Sequence, residues 1–220
     1  MNNKKLVLFY VLLLIGIPFI YAAYLYPSLP EIIPTHFNIK GEADGFGGKD
    51  SIYLGPIIMG LTSLFTYFLL TNIKKIDPKR NEQVEDGLYQ KFGFFTVLFL
   101  SALSMVILYT TSHNDISIEK LLFPIMGLAF AALGVYMPKL KQNYFAGFKL
   151  PWTLDNVDNW NATHKIAGKV WLYGGIIQFF AGLAFSSVAS FVIFFIAMVV
   201  MVLVPTIYSY RMFKNGNKVS

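Results

Sequence analysis

The chain has 220 residues, of which 55% are hydrophobic and 14% charged, whereas soluble domains average about 25% charged residues. Its 18 basic and 12 acidic residues give a net charge of +6, and it contains no cysteine. The composition therefore argues against a soluble domain, and the lack of cysteine excludes disulfides and thiolate metal sites.

The apolar residues form six runs, each about as long as the roughly 17–25 residues of helix that cross a bilayer. Backbone amides in hydrocarbon must be paired within their own segment, so each run is predicted to be an α-helix. In chain order the predicted spans are 6–26, 52–72, 92–111, 121–137, 168–186 and 191–210, with a turn over 186–190. The first run is longer than the apolar core of a signal peptide, so we expect a retained helix.

The distribution of lysine and arginine predicts the orientation of these spans. Of the 18 basic residues, 15 lie before the first span, between the second and third, between the fourth and the start of the fifth (Lys169 included), or after the sixth. Cytoplasmic loops are enriched in Lys and Arg, so both termini are predicted to be cytoplasmic. The predicted fold class is an all-α polytopic membrane protein with six transmembrane helices.

The connection between the first two spans, residues 27–51, faces outside in this topology and is unusually polar. Its prolines at 27, 30 and 34 oppose helix, and its glycines at 41, 45, 47 and 48 favour turns. We expect an ordered outer loop that includes a short pair of strands.

This outer loop contains residues that are used elsewhere for phosphate or metal binding. A phosphate loop is excluded, because Ala43 stands where the first glycine of that motif is needed. Asp44 and Asp50 leave a weak cation site as an alternative, although the spacing of calcium ligands is missing. His36 is expected to hydrogen-bond within the loop, and no metal site or cofactor is predicted.

The second informative segment, residues 142–171, lies between the fourth and fifth spans on the predicted cytoplasmic side. Asp155 is predicted to cap a helix that begins with an amphipathic turn or two. Trp160 and His164 share one face of that helix, and charged residues occupy the other. Two interpretations of these residues and Trp152 stay open, namely interfacial anchoring with packing, or a binding surface.

Two stretches together resemble the SdpI family of bacterial membrane proteins. The outer-loop signature of that family is similar to residues 29–56, LPEIIPTHFNIKGEADGFGGKDSIYLGP. Its cytoplasmic signature is similar to residues 142–154 and 159–171, QNYFAGFKLPWTL and NWNATHKIAGKVW. The resemblance divides the chain into a two-helix unit, 1–72, and a four-helix unit, 73–220.

The family is named for a protein that gives immunity to the sporulation-delaying toxin. The resemblance implies a multi-pass protein of the bacterial cytoplasmic membrane that gives immunity to a secreted antimicrobial peptide. It also implies a sensor that holds a small transcriptional repressor at the membrane when toxin is present. The residues that match the outer signature are His36, Phe37, Asn38, Gly41 and Asp44. Those that match the cytoplasmic signature are Asn143, Gly147, Pro151, Trp152, Thr153, Trp160, His164, Gly168 and Lys169.

The implied partners are membrane lipid, a peptide toxin outside and a repressor inside, with no direct contact to nucleic acid. An alternative is a small-solute or peptide transporter, for which Gln178 is the most polar residue inside a predicted span. A membrane enzyme is not expected, because no nucleophile–base pair appears on one side. Only a grouping of His113 with His36 and Asp44 would reopen that interpretation.

Overall fold

The computed structural model describes residues 3–76, 86–113 and 118–216, and six of its helices are long and apolar enough to cross a membrane. The all-α polytopic fold is therefore confirmed. The helices are α1 (Asn3–Leu25), α2 (Leu54–Thr71), the short α3 (Ile73–Ile76), α4 (Asp86–Ser112), α5 (Glu119–Tyr136), the short α6 (Pro151–Asp155), α7 (Val157–Ala184) and α8 (Ser187–Gly216). Residues 77–85 of the predicted inner connection, which include Lys79 and Arg80, lie outside the described residues, as do 114–117 of an outer one.

Two predicted boundaries in the C-terminal part are wrong. The cap of α7 is Asn156, whose Oδ1 accepts a hydrogen bond of 2.8 Å from the backbone N–H of Asn159. Asp155 instead ends α6, one residue earlier. The predicted turn over 186–190 is also wrong, because α8 already begins at Ser187 and only two residues separate it from α7.

The predicted strand pair in the outer loop is confirmed as an antiparallel hairpin of β1 (Ile32–Phe37) and β2 (Ala43–Gly48). Ile33 attaches this hairpin to the helices, since it is 1% exposed and belongs to a buried cluster with Leu25, Ile52 and Leu108. Burial of such a side chain is worth about 1.5–3 kcal/mol, so the hairpin has a fixed position on α1 and α4.

The chain forms two compact units. The first comprises Met1–Asn72 with Glu85–Leu122, and therefore contains α1, the hairpin, α2 and α4. The second comprises Ile73–Val84 with Phe123–Ser220, and contains most of α5 together with α6, α7 and α8. The third long helix, α4, thus groups with α1 and α2. The division at residue 72 that the sequence resemblance implies assigns α4 to the C-terminal unit instead.

Glycines allow α5 and α7 to pack with their backbones in close approach. On α7 they recur every seven residues, at Gly168, Gly175 and at position 182. A Cβ added to Gly127 of α5 would collide with the backbone of Phe179, and one on Gly134 with the backbone of α7 one heptad earlier. No hydrophobic driving force acts between helices within a bilayer. The close van der Waals packing that small residues allow stabilises such contacts instead.

A proline interrupts the hydrogen bonding of α1 in the first unit. Pro18 has no N–H, so the carbonyl of Leu14, four residues earlier, loses its helical partner. The hydroxyl of Ser101 on α4 donates to that carbonyl over 2.6 Å. A neighbouring helix therefore restores the hydrogen bond that the proline removes.

The second unit contains the same arrangement with different residues. Pro205 in α8 leaves the carbonyl of Met201 without its helical partner. The indole Nε1–H of Trp171 on α7 donates to that carbonyl over 3.0 Å. Pro205 is less than 2% exposed and Met201 is 1% exposed, whereas Trp171 is partly buried, so this hydrogen bond between α7 and α8 is partly buried.

Candidate functional site

Asn38 and Gly41 build the turn of the outer hairpin. The Oδ1 atom of Asn38 accepts hydrogen bonds from the backbone N–H groups of Lys40 (2.8 Å) and Glu42 (3.1 Å). Its Nδ2 group also donates to the Glu42 carboxylate over 3.0 Å. Gly41 has a φ of 78°, a conformation that other residues adopt only with strain. These two residues of the outer signature therefore shape the loop.

The same turn lies against Glu119, the first residue of α5. Glu119 is 6% exposed, and a Cβ on Gly41 would fall on its carboxyl group. An acidic residue in the first turn of a helix is favoured by the helix dipole, and this preference can be recognised from the sequence alone. The contact between Glu119 and the turn is not visible in the sequence, and the sequence analysis missed this residue.

His36 hydrogen-bonds within the loop, as predicted. Its Nδ1 atom lies 2.5 Å from Oδ1 of Asp44, and the two side chains are 71% and 45% exposed. Asp50 has a different partner, because it accepts a hydrogen bond of 2.6 Å from the hydroxyl of Tyr26. In the described ranges no group of three or more His, Asp or Glu residues is placed to hold a metal ion.

His113 does not join His36 and Asp44. Its ring stacks on Tyr109 at 4.3 Å between centroids, and its Nδ1 atom contacts the hydroxyl of Ser112 at 2.8 Å. The grouping that would favour a membrane enzyme is therefore not among the contacts of these residues.

The hairpin also exposes apolar side chains. Ile32 is 65% exposed and Phe46 is 62% exposed, and Phe46 lies opposite Pro34 in the strand pairing. Phe37 is partly buried. We call the exposed side chains Ile32, His36, Asp44 and Phe46 the hairpin surface. It combines two apolar groups with one hydrogen-bonded polar pair, on a part of the chain that lies between two spans.

The residues of the cytoplasmic signature come together around the segment 141–150 that precedes α6. Asn143, which is 2% exposed, determines the shape of this segment. Its Oδ1 accepts from the N–H groups of Phe145 (2.8 Å) and Ala146 (2.7 Å), and its Nδ2 donates to the carbonyls of Lys141 (2.8 Å) and Ala146 (3.1 Å). All four hydrogen-bonding positions of this amide are used, so none remains for a ligand.

His164 connects that segment to α7 and is fully buried. Its Nδ1 lies 2.8 Å from the carbonyl of Trp160, and its Nε2 accepts the backbone N–H of Phe148 over 3.0 Å. The first atom has to donate and the second has to accept, so the ring is the neutral Nδ1–H tautomer. Gly147 has a φ of 107°, and a Cβ there would collide with Nε2 of His164.

Thr153 closes the segment from the other side. Its hydroxyl donates to the carbonyl of Phe148 over 2.6 Å and accepts the N–H of Leu150 over 2.9 Å. Its own carbonyl accepts a hydrogen bond of 2.7 Å from Gln142. Pro151 begins α6, where the absence of its N–H costs nothing. The threonine of the signature is thus a structural residue of the α6 N-terminus.

Trp152 attaches α6 to α8. Its Nε1 donates to the hydroxyl of Ser209 over 2.7 Å, and that hydroxyl donates to Oδ1 of Asn159 over 2.7 Å. Asn159 in turn donates from Nδ2 to the carbonyl of Ser209 over 3.0 Å. The ring of Trp152 also stacks on Phe213 at 5.6 Å. Asn159 and Ser209 are not among the residues predicted from the sequence. Both are polar residues at buried positions of their helices.

Trp160 is a packing residue. It is 0% exposed, its Nε1 donates to the carbonyl of Leu140 over 2.8 Å, and its ring stacks on His164 at 4.0 Å. Interfacial anchoring by Trp160 is therefore wrong. We call Asn143, Gly147, Thr153, Trp160 and His164 the inner cluster, in which Gly147 is partly buried and the other four are buried. Lys149, Pro151, Lys165 and Lys169 remain exposed around it, while Gly168 packs against α5.

Comparison with known proteins agrees with the two signatures. Residues 139–209 match the model of the SdpI/YfhL protein family, and residues 13–60 match a domain of unknown function, DUF1648. The inner cluster lies within the first match and the hairpin surface within the second.

A curated protein of Archaeoglobus fulgidus, described as uncharacterized, is 34% identical over 50 residues, which are 23% of this chain and 27% of that protein. The chain thus matches about a quarter of the length of that relative. No solved structure gives a significant match. Through its C-terminal segment, behind an N-terminal DUF1648 segment, the chain is a multi-pass membrane protein of the SdpI/YfhL family.

Proposed function

We propose that this protein sits in the bacterial cytoplasmic membrane and protects the cell from a secreted antimicrobial peptide. Membership of the SdpI/YfhL family supports the proposal at the level of the family. The observation that carries it for this chain is the hairpin surface, where Ile32 and Phe46 are 65% and 62% exposed on a hairpin anchored by Ile33.

These exposed groups differ from the many exposed apolar residues of the long helices. Apolar residues on a membrane span are covered by lipid and need no protein partner. Ile32 and Phe46 belong to strands between two spans, where no helix places them in hydrocarbon. A membrane-active peptide with apolar side chains would cover them, and the exposed His36–Asp44 pair offers it a polar contact.

The proposal includes a sensing role on the opposite side of the membrane. Three spans separate the hairpin from the segment before α6, so the two lie on opposite sides if every span crosses. A small repressor would dock on exposed groups around the inner cluster, such as Lys149 and Pro151. Sensing further requires two conformations of the protein that the toxin binds with unequal affinity.

Protection is tested by expressing the chain in a strain that is sensitive to the sporulation-delaying toxin and measuring survival over a range of toxin concentrations. The variants Phe46→Ser and Ile32→Ser should shift the tolerated concentration toward that of cells without the protein, by about tenfold for each 1.4 kcal/mol of lost binding. Val157→Ser is the matched control, since Val157 is 54% exposed at the start of α7. Full protection by both hairpin variants, at equal membrane levels, would count against the hairpin surface.

Transport is a second candidate function, and one observation favours it. Gln178 lies within α7 and is 0% exposed, and neither its amide oxygen nor its nitrogen has a hydrogen-bond partner in the described part of the chain. Polar groups inside a span are costly and often mark a transport path. If the protein exports the toxin, Gln178→Leu should abolish protection and also abolish efflux of labelled toxin from vesicles, whereas shielding at the hairpin is insensitive to this change.

A further inference from the structure

The first unit contains a small cleft between α1, α2 and α4 that includes none of the residues of the hairpin surface or the inner cluster. Its lining includes Pro18, Pro56, Gly60, Ser63, Ser101 and Ser104. Pro18, Gly60, Ser63 and Ser101 fall near the centres of three helices that are long and apolar enough to span a membrane, whereas Pro56 lies closer to the start of α2. The cleft therefore lies at about the middle of the bilayer, where a polar group without a hydrogen-bond partner is energetically costly.

Ser104 is the unusual member of this lining. It is 1% exposed, and its hydroxyl has no hydrogen-bond partner among the described residues. Every other Ser or Thr hydroxyl of α4 donates to a backbone carbonyl. These donors are Thr96, Ser101, Thr110, Thr111 and Ser112. A hydroxyl that lines a cleft and uses no carbonyl of its own helix indicates a partner inside the cleft.

Ser101 supplies a second polar atom to the same cleft. Its hydroxyl donates to the carbonyl of Leu14 over 2.6 Å, so the hydroxyl oxygen can still accept a hydrogen bond from inside the cleft. Ser63, which is 1% exposed, faces the cleft from α2. The lining thus contains three neutral hydroxyls, those of Ser63, Ser101 and Ser104, and no charged side chain. An ion would be uncompensated there, and a lipid chain would leave Ser104 without a partner.

We propose that this cleft is a binding site for a single water molecule, which accepts the hydrogen of Ser104 and donates to the hydroxyl oxygens of Ser63 and Ser101. Buried waters in proteins make about three hydrogen bonds each, and this lining supplies that number of polar atoms. The water hydrates α1 inside the bundle, next to Pro18, where the helical hydrogen bonding of α1 is interrupted. This inference does not depend on the proposed immunity function.

The site is tested by solid-state NMR of the full chain in lipid bilayers, with magnetisation transferred from water protons to the protein. The amide and side-chain protons of Ser104 should receive water magnetisation faster than those of Val97 and Leu108. These two controls are on the same helix and are 0% and 1% exposed. A transfer rate at Ser104 equal to that of the controls means a dry cleft and overturns the proposal.

Substitution of Ser104 gives an independent readout on the same preparation. If the hydroxyl binds water, Ser104→Ala breaks that hydrogen bond, and the thermal midpoint should fall by about 2–4 °C, as expected for a loss near 1 kcal/mol in a chain of this size. If the hydroxyl has no partner, its removal should leave the midpoint unchanged or raise it, which contradicts the proposal. Thr110→Ala is the matched control, because that hydroxyl donates to its own helix at the carbonyl of Val106.

Discussion

The two units place the residues of their signatures in opposite environments. In the first unit, His36 is mostly exposed and Asp44 nearly half exposed, and Ile32 and Phe46 beside them are open to a partner. In the second unit, four of the five residues of the inner cluster are buried, and His164 has both ring nitrogens engaged. The hairpin therefore presents side chains that are available for binding, whereas the inner cluster consists mainly of residues that hold the segment 141–150 in place.

The difference teaches that a run of matching residues does not mark a ligand site by itself. Most matched residues of the second unit shape the backbone, and the groups left for a partner are the exposed residues around them, such as Lys149 and Pro151. In the first unit the matched residues divide, since Asn38 and Gly41 form the turn while His36 and Asp44 face outward. The hairpin is therefore the stronger candidate for direct recognition.

The largest expected effect comes from comparing two glycines with positive φ, one in each unit. Gly147→Ala should lower the free energy of unfolding by about 3–5 kcal/mol, because it adds backbone strain and displaces His164 from its hydrogen bond with Phe148. Gly41→Ala should cost less, about 2 kcal/mol, since its Cβ meets the end of the flexible Glu119 side chain.

Unfolding of the purified protein in mixed micelles with increasing sodium dodecyl sulfate measures both changes. Gly55→Ala is the control, because a Cβ there has no atom within 4 Å and position 55 lies in the first turn of α2. Equal losses for positions 41 and 147 would contradict the view that the second unit is the more rigidly packed site.

The sequence predicts the helices well because the bilayer imposes a length and a composition on each span. It also predicts the hairpin, since proline and glycine between positions 27 and 48 oppose helix and permit turns. It does not predict the bond between Trp152 and Ser209, which are 57 residues apart, because such a contact depends on how α6 and α8 pack. The cap of α7 is misassigned by one residue because Asp155 and Asn156 have similar capping propensities.

A smaller effect is expected from two asparagines that shape turns. Asn143→Asp replaces an Nδ2 group that donates to two carbonyls with an oxygen that is repelled by them, so it should destabilise the protein by about 2–3 kcal/mol. Asn38→Asp loses one bond to Glu42 at an exposed turn and should cost about 0.5–1 kcal/mol. The same unfolding titration measures both, and a larger loss at position 38 would reverse the ranking of the two sites.

A third comparison concerns the carbonyls freed by proline, and its expected effect is about 1–1.5 kcal/mol. Trp171→Phe keeps an aromatic ring, although a smaller one, and removes the donor to Met201, so the carbonyl is left unpaired. In a Pro205→Ala background, residue 205 regains an N–H that reaches the same carbonyl, and the cost of Trp171→Phe should fall by at least half. A double-mutant cycle measures this coupling, and strict additivity would show that the indole N–H does not compensate for the proline.

The smallest expected change in stability occurs at the hairpin surface. His36→Ala removes an exposed hydrogen-bonded pair, and such pairs contribute less than about 1 kcal/mol to folding. If the hairpin recognises the toxin, the same substitution should nevertheless reduce protection clearly in the survival assay, as should Asp44→Ala. Lys40→Ala is the control, because only the backbone of that exposed turn residue bonds to Asn38. A loss of protection that merely follows the loss of stability across these variants would mean that His36 supports the loop and does not contact the peptide.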